Sequence, residues 1–321
     1  MKEFTINSND AQTRLDKFIS KAVPNLPGTL AQKYIRIKRI KVNGKRAERD
    51  TRLNCGDVVS MYINDEFFEV SATLPDYLTC KPNLSIIYED ENIMLLDKVP
   101  GLSVHEDEQQ KQNTLISQIK AYLYRNGEWK PDEENSFTPA LCNRIDRNTG
   151  GIVIAAKNAP ALRVLNEKIK NREIKKFYLC LVRGKLTPPS GKLENFLWKD
   201  AKKNRVFVRR DRVPGAKTAI TLYRTVKSNS ELSLVECELI TGRTHQIRAQ
   251  MAHAGHPLLG DGKYGDNDWN KKHRRNKQAL YSYRLIFSFS TDAGPLNYLK
   301  GAFFQVPHVD FAEKYFLPQS L

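Results

Sequence analysis

Two segments that lie far apart in the chain dominate the interpretation of this sequence. The first is Asn143-Arg144-Ile145-Asp146-Arg147-Asn148-Thr149-Gly150-Gly151, which runs directly into the apolar stretch Ile152-Val153-Ile154-Ala155-Ala156. The second is Thr241-Gly242-Arg243-Thr244-His245-Gln246-Ile247-Arg248, followed by His256-Pro257-Leu258-Leu259-Gly260-Asp261-Gly262-Lys263-Tyr264-Gly265. An exposed ion pair contributes little to stability, so a carboxylate between two arginines before a buried strand suggests a functional site. The alternative is a surface carboxylate in such an exposed pair.

The charge of the chain points to a polyanionic partner. Its 321 residues suffice for one sizeable domain and a small one, and 52 Lys and Arg against 36 Asp and Glu leave a net charge of +16. Such a field attracts nucleic acid first. A membrane surface is the competing partner, but no apolar run approaches the ~20 residues that cross a bilayer. The residues after Met1 lack the apolar core of a signal peptide, so the cytoplasm is the expected compartment.

The cysteines indicate neither a disulfide framework nor a zinc site. They are odd in number, widely scattered and without a C-x-x-C pair. The five are Cys55, Cys80, Cys142, Cys180 and Cys237. We expect no bound metal.

A small basic unit is predicted at the front of the chain. Thr13 is a candidate N-cap, with Asp16 in capping-box position, for a helix that Pro24 ends. A second helix is expected over 30–37, with Leu30, Tyr34 and Ile37 on one face. Ile40-Lys41-Val42-Asn43-Gly44-Lys45 predicts a hairpin with a type I′ turn, because Asn-Gly readily adopts positive φ. The Gly56-Asp57 turn precedes an alternating strand at Val59, Met61 and Ile63.

This unit resembles an S4 RNA-binding domain. The similarity lies in the order Arg14-Leu15-Asp16-Lys17, Val42-Asn43-Gly44 and Gly56-Asp57-Val58-Val59, and it covers residues 12–64. Residues 1–64 hold 13 basic against 6 acidic side chains, either a solvated face or an RNA platform. The candidate RNA-binding residues here are Arg36, Lys38, Arg39, Lys41 and Lys45, with Arg46 beside them. A polar, proline-punctuated linker is expected over 65–82 and a larger domain over 83–321.

The larger domain mixes strands and helices without regular βαβ alternation. Strands are expected at 85–88, 93–96, 177–182 and 232–240, and one helix around 115–123. Asn158, with Pro160 in the first turn, opens another helix. The predicted fold class is α+β, in which the small amino-terminal unit precedes a mixed, mainly antiparallel sheet.

Both opening segments together resemble the signature of the RluA-type pseudouridine synthases, over nearly the whole chain. The family pattern is His-Arg-Leu-Asp-Arg-x-Thr-Ser-Gly, and this chain departs from it at Asn143, Ile145 and Gly150. The resemblance implies that Asp146 is the essential aspartate. It also implies that Arg243 pairs with Asp146, although a phosphate contact or a helix cap at the start of 244–254 is the alternative for Arg243.

The implied reaction requires little besides a carboxylate. Conversion of uridine to pseudouridine breaks N1–C1′, rotates the base and joins C5 to C1′, so neither metal nor organic cofactor is expected. The carboxylate either attacks covalently or removes a proton, and a nearby guanidinium favours its ionised form. Tyr178, in a Lys-x-Tyr motif at 176–178, is either a core residue or the ring that stacks on a flipped uracil, with a hydroxyl that assists loss of the C5 proton.

The remaining polar residues of the two segments are assigned to binding or to structure. Arg144, Arg147 and Arg248 are placed in the RNA-binding class. His245 is expected to be structural or to contact RNA, while the Gly260-Asp261 turn is expected to be architectural. Two further basic stretches, 202–212 and 271–277, either follow an RNA backbone or form a solvated surface.

The predicted function is isomerisation of specific uridines in structured RNA. Relatives that carry an S4 domain mostly modify large-subunit ribosomal RNA, so the resemblance favours that substrate, with transfer RNA second. The rival class is a non-catalytic RNA-binding or ribosome-assembly factor. A glycosidase or nuclease is disfavoured, because neither segment offers a suitably placed second carboxylate or a metal cluster. No obligate protein partner is indicated, and a monomer is expected.

Overall fold

Two β-sheets, one of four strands and one of eleven, organise the residues that the structure describes. The computed structural model describes residues 1–69, 74–106, 110, 112–200 and 202–316. Of the predicted linker, residues 70–73 lie outside the described residues, as do residues 317–321 at the end of the predicted larger domain.

The smaller sheet lies at the amino terminus, is antiparallel throughout and has the strand order β1-β4-β2-β3. Its elements are β1 (Lys2–Thr5), α1 (Leu15–Ala22), α2 (Gly28–Arg36), β2 (Ile40–Val42), β3 (Lys45–Arg46) and β4 (Val58–Met61). The Asn43-Gly44 hairpin is confirmed, because both residues have positive φ, 51° and 72°. Both helices pack on the sheet around a hydrophobic core of their own that includes Phe18 and Met61.

Two details of the small unit differ from the prediction. The N-cap of α1 is Arg14 rather than Thr13, and it makes no side-chain cap. The guanidinium of Arg14 instead pairs with Asp16, which removes that carboxylate from a capping box. The buried face of α2 is formed by Ala31 and Ile35, so Ile37 lies at its end and is exposed.

The larger sheet has the order β11-β10-β12-β13-β9-β14-β8-β6-β5, with β7 and β15 paired at its side to β8 and β14. Its strands are β5 (Ile86–Glu89), β6 (Ile93–Lys98), β7 (Ala140–Leu141), β8 (Gly150–Ala156), β9 (Ile174–Arg183), β10 (Ser190–Asp200), β11 (Arg205–Arg209), β12 (Lys217–Ser228), β13 (Leu232–Leu239), β14 (Leu280–Phe287) and β15 (Phe303–Gln305). Only the β8–β14 pair is parallel among the described strands, so the mixed, mainly antiparallel sheet is confirmed.

Helices cover both faces of this sheet, which explains why β8 is buried at every residue. The helices are α3 (Asp76–Thr79), α4 (Leu115–Arg125), α5 (Ala159–Lys170), α6 (Gln246–His253), α7 (Asn267–Lys272) and α8 (Asp310–Phe316). As predicted, the Asn158 side chain caps α5 by accepting from the Ala161 N–H. One face packs against α5 and α8, and the other against α4 and α6. Tyr178 and Ile145 belong to the α4/α6 face, where the candidate site lies.

The described parts of the predicted linker pack against both units. A 3₁₀ helix at Asp65–Phe68 brings Phe67 and Phe68 to the core of the small unit. After residue 73, the ring of Tyr77 packs edge-on against Trp129, with centroids 5.0 Å apart. Each end of the linker is therefore attached to the unit that it adjoins.

A set of polar contacts, called here the latch, joins the amino-terminal unit to the larger one. The Asn9 amide donates to Glu134 at 2.6 Å, and its Oδ1 accepts from the Ala159 N–H at 2.9 Å. The fully buried Asp10 accepts from the Asn135 amide at 2.7 Å and from the Ser136 hydroxyl. The small unit is thus docked rather than loosely tethered.

None of the helices within the described residues is long and apolar enough to cross a membrane.

Candidate active site

Asp146 lies in the turn between β7 and β8, and close packing at the start of β8 determines the shape of that turn. The Thr149 N–H donates to the Asp146 carbonyl at 3.0 Å, which closes the turn. A Cβ at Gly150 would lie 2.3 Å from the ring of Tyr281, and one at Gly151, where φ is +106°, would lie 2.1 Å from the Ser282 carbonyl oxygen. Both positions require glycine because β8 and β14 approach closely there.

The same packing explains one departure from the family pattern, and a hydrogen bond to β8 gives a role to a second. Gly150 stands where the family usually has serine, and the ring of Tyr281 occupies the space that a serine side chain would need. Asn143 stands where the family usually has histidine. Its Oδ1 accepts from the Ile154 N–H at 2.7 Å, so this side chain holds the edge of β8.

Arg248, on the buried side of α6, binds the Asp146 carboxylate. Its Nη1 donates to Asp146 Oδ2 at 2.8 Å. The other two nitrogens engage Asp261, Nε with Oδ2 at 2.6 Å and Nη2 with Oδ1 at 2.9 Å. One planar guanidinium therefore bridges two carboxylates, an arrangement that its fork of donors permits and that a lysine could not reproduce.

Asp261 is fully buried, and both of its carboxylate oxygens accept hydrogen bonds. Besides Arg248, it accepts from the backbone N–H groups of Lys263 and Tyr264 at 2.9 and 3.1 Å. Burial by itself would raise the pKa of Asp261, but the bonds from Arg248 outweigh it, and the pKa is lowered. Burial works against the charged form of Arg248, but the two carboxylates reverse this and raise its pKa. Arg248 and Asp261 are therefore both charged at neutral pH.

The pairing of Arg243 with Asp146 was predicted and is wrong in this structure. The Arg243 Nε donates to the Thr218 carbonyl at 3.0 Å, and its N–H donates to the Gln246 side chain. Its side chain is exposed and makes no ion pair within the described part of the chain. The left-handed backbone of His245, with φ 54°, precedes α6 and turns the loop so that Arg248 faces Asp146.

Tyr178 is buried in β9 on the face that carries Asp146, with 5% of its surface exposed. Burial raises the pKa of Tyr178 to about 12; the Ser282 hydroxyl opposes this rise, and the negative charge of Asp146 adds to it. The phenol is therefore protonated at neutral pH. It can stack or donate a hydrogen bond there, but it is not a phenolate base.

His245 stands near Asp146 as a neutral ring. Its Nδ1 makes a hydrogen bond of 2.9 Å with the Tyr264 hydroxyl, and its Nε2 lies 3.9 Å from Asp146 Oδ2. Burial lowers the pKa of His245 to about 4, although Asp146 opposes this shift. At neutral pH the ring contributes shape and a hydrogen bond rather than charge.

Sequence reasoning missed Lys98, at the end of β6. Its Nζ is buried and donates to the carbonyls of Val99, Leu102 and Arg147 at 2.9 to 3.0 Å. Burial lowers the pKa of Lys98 to about 7, with Asp146 opposing. Because it binds the residue after Asp146, Lys98 supports the turn. A lysine that ends an apolar strand and precedes Val-Pro-Gly was the available signal.

The predicted RNA-binding residues occupy different places. Arg248 is part of the bridge, Arg144 is exposed, and the Nε of Arg147 donates to the Gly101 carbonyl at 3.0 Å. The candidates of the small unit all lie at the end of α2 or along the β2–β3 hairpin, outside the cluster around Asp146. They are Arg36, Lys38, Arg39, Lys41 and Lys45. Two carry their charge above a ring, Arg39 over Tyr34 and Lys41 over Tyr62.

Comparison with known proteins identifies the class to which this fold and site belong. The family model described as RNA pseudouridylate synthase matches residues 92–253, and the S4 domain model matches residues 13–59. The chain belongs to the RNA pseudouridine synthases and carries an amino-terminal S4 domain. It is therefore an isomerase that acts on uridine in RNA.

Individual relatives and solved structures agree with this assignment. The uncharacterised RNA pseudouridine synthase MG370 of Mycoplasma genitalium is 32% identical over 296 residues, 89% of this chain and 88% of the relative. The ribosomal large subunit pseudouridine synthase D of Borreliella burgdorferi is 32% identical over 222 residues, 68% of this chain and 66% of the relative. The structure of human RNA pseudouridylate synthase domain containing 4 shares the fold, with a TM-score of 0.55, 20% identity and coverage of 71% of this chain and 89% of that one.

Proposed function

We propose that this enzyme isomerises selected uridines of large-subunit ribosomal RNA and that Asp146 is its catalytic carboxylate. The observation that carries the proposal is the bridge from Asp146 through Arg248 to Asp261. Arg248 occupies Oδ2 of Asp146, and within the described residues Oδ1 has no hydrogen-bond partner. One carboxylate oxygen is thus oriented by the guanidinium while the other is open to a substrate.

The reaction constrains what that oxygen does. The N1–C1′ bond breaks, C5 bonds to C1′, the C5 proton leaves and N1 receives a proton, so all atoms are conserved. Asp146 either attacks the nucleoside covalently or removes a proton, and both routes need the same ionised oxygen beside the sugar. The uridine must leave its stack to reach a carboxylate held in a turn.

In this proposal Tyr178 positions the base. With a pKa raised to about 12 by burial, its hydroxyl stays protonated at neutral pH and the ring offers an apolar face. A Tyr178 phenolate is thereby disfavoured as the acceptor of the C5 proton, and any assistance by this hydroxyl comes from its protonated form. In this proposal Tyr178 acts through stacking and hydrogen bonding.

Two observations support ribosomal RNA as the substrate. A relative 32% identical to this chain is named for the ribosomal large subunit, and the S4 domain adds a basic surface outside the active site. Transfer RNA is the second candidate, since a loop uridine in either RNA meets the need for an accessible base.

We also propose the division into an S4-like unit over 1–64, a linker over 65–82 and a catalytic domain over 83–321, acting as a monomer in the cytoplasm without a cofactor. The separate hydrophobic cores on either side of the linker support this division. Sedimentation of the purified protein with and without RNA tests the monomer, and dimers at working concentration would contradict it.

Release of tritium from C5-labelled uridine tests the activity and its substrate together. Purified protein is incubated with large-subunit ribosomal RNA, small-subunit ribosomal RNA and bulk transfer RNA. Release from the first alone is expected. Release from transfer RNA alone would overturn the ribosomal assignment, and tight RNA binding with no release from any of the three would favour a non-catalytic assembly factor.

The Asp146→Asn variant tests the carboxylate itself. Asparagine keeps the volume but can neither attack nor accept a proton as a carboxylate does, so turnover should vanish while RNA affinity remains. Residual turnover within tenfold of wild type, a barrier change of about 1.4 kcal/mol, would exclude Asp146 as the catalyst.

A further inference from the structure

Lys176 is a half-buried cation that the proposed chemistry does not use. It lies on β9 two residues before Tyr178, so both side chains leave the same face of the strand. A methyl group placed at Gly242 would lie 4.0 Å from the Lys176 Nζ, so the ammonium reaches the loop that precedes α6. Its neighbour Lys175 points to the opposite face and is exposed.

The surroundings of Lys176 differ from those of three other enclosed lysines, Lys98, Lys157 and Lys168. Lys98 donates to three carbonyls, and Lys168 is bound by Glu173 and Thr291. Lys157 is paired with Glu89 and Glu128. No hydrogen bond or ion pair reaches the Lys176 Nζ from any residue that the structure describes.

An enclosed and unpartnered ammonium is costly, because it loses hydration without compensation. The pKa of Lys176 is lowered, and burial is the cause. An anionic group of the substrate would supply the partner that this ammonium lacks. The uncharged and exposed Gly242 leaves the approach to the ammonium open.

The distance along the strand indicates which anion fits. Two residues of an antiparallel strand span roughly 7 Å, about the width of one nucleotide. We propose that Lys176, together with the Gly242 backbone, binds the RNA phosphodiester that adjoins the target uridine while the base lies against Tyr178. This inference rests on the proposed function and names a substrate contact outside the bridge of Asp146, Arg248 and Asp261.

The test compares Lys176→Met with Lys175→Met, two adjacent lysines on opposite faces of β9. Affinity for a stem-loop RNA with a single loop uridine is titrated in the Asp146→Asn background, where binding is measured without turnover. Lys176→Met should weaken binding about ten- to a hundred-fold, the ratio for one charge-assisted hydrogen bond. It should also make the slope of log affinity against log salt shallower by about 0.7 to 0.9. Lys175→Met should change neither measurement.

A second arm changes the RNA. An uncharged methylphosphonate replaces the phosphate on the 5′ or the 3′ side of the uridine, one position at a time. One of the two replacements should weaken RNA binding by the wild-type protein by the same factor as Lys176→Met does. The same replacement should not weaken RNA binding by Lys176→Met any further. Equal losses in both proteins would overturn the proposal, as would unchanged affinity of a folded Lys176→Met.

The RNA arm also decides the question if Lys176→Met does not fold. In that case the wild-type protein is compared with Lys176→Arg. The proposal is overturned if neither methylphosphonate weakens wild-type binding more than the other. It is upheld if one of them does and if the size of that loss changes in Lys176→Arg. Tritium release is scored separately on the wild type. Failure of isomerisation is therefore distinguished from failure of the phosphate subsite.

Discussion

Asp146 and Asp261 share a single guanidinium, that of Arg248, which binds the first with one nitrogen and the second with two. The two carboxylates differ in exposure, since the Asp146 side chain is 24% exposed and that of Asp261 is fully buried. The buried partner fixes the plane of the guanidinium, and the remaining nitrogen then orients Asp146. The Gly260-Asp261 turn, which was assigned to architecture from the sequence, thus supports the proposed active site directly.

Replacement of Asp261 should damage both stability and turnover. In Asp261→Asn the buried Arg248 keeps its charge but loses one of its two ionic partners. Leaving a buried charge unpaired costs about 3 to 5 kcal/mol, and the remaining pair with Asp146 keeps the loss toward the lower end of that range. Urea unfolding measures this loss, and tritium release should fall strongly while RNA affinity is maintained. Asp268→Asn, whose ion pair with Lys271 is on the surface, is the matched control and should leave both unchanged. Normal turnover in Asp261→Asn would show that Asp146 needs no such support.

The two arginines of the second segment should separate into different kinetic classes. Arg248→Lys should lower kcat strongly, because an ammonium cannot span two carboxylates as the planar fork does. Arg243→Ala should raise KM and leave kcat nearly unchanged, because its guanidinium faces the Thr218 carbonyl and solvent. Single-turnover rates at saturating RNA distinguish the two effects. The opposite pattern would restore Arg243 as the partner of Asp146.

His245 should make the protein less stable in mild acid. Burial lowers its pKa to about 4 in the folded state, whereas an unfolded histidine titrates near 6.5. The unfolded chain therefore takes up a proton below pH 6.5 that the folded one does not. The free energy of unfolding should fall by roughly 3 kcal/mol between pH 6.5 and 4 from this residue.

Urea unfolding across that pH range measures the effect. The pH slope of His245→Gln should be shallower by up to one proton near pH 5. His308→Gln removes an exposed histidine that pairs with Glu313 and serves as the control. Identical slopes for the wild type and His245→Gln would show that the ring is not held neutral.

We expect the latch to increase affinity for long RNAs and to have no effect on the turnover of short ones. Asn9→Ala combined with Asn135→Ala removes donors to Glu134 and Asp10, which frees the S4 domain from its docked position. Affinity for full-length ribosomal RNA should fall and its salt dependence should become shallower, because fewer phosphates are neutralised together. Turnover of a short stem-loop at saturation should remain unchanged. Asn64→Ala, which changes an exposed residue outside the latch, is the control. Equal affinity of the wild type, the double variant and Asn64→Ala for long RNA would contradict a docking role.

Local sequence patterns were enough to predict many structural features of this protein. The positive φ of Asn43-Gly44, the cap at Asn158 and the alternation of β9 follow from interactions between residues near in sequence, and each is visible in the chain itself. The motif around Asp146 likewise indicated the family, and the charge and residue order of the first 64 residues indicated the basic RNA-binding unit. These features depend on backbone preference, periodicity and net charge, which neighbouring residues largely determine.

The partners of Asp146 were decided only by tertiary structure. Arg243 and Arg248 lie in the same short segment, and which of them faces Asp146 depends on the left-handed turn at His245 and on how α6 docks against the sheet. The roles of Lys98 and Asp261 depend in the same way on burial, because a charge becomes a positioning group when its water is removed and specific donors or acceptors replace it. Segments that are distant in the chain determine which charged groups are buried together. Periodicity and motif spacing therefore do not predict these contacts.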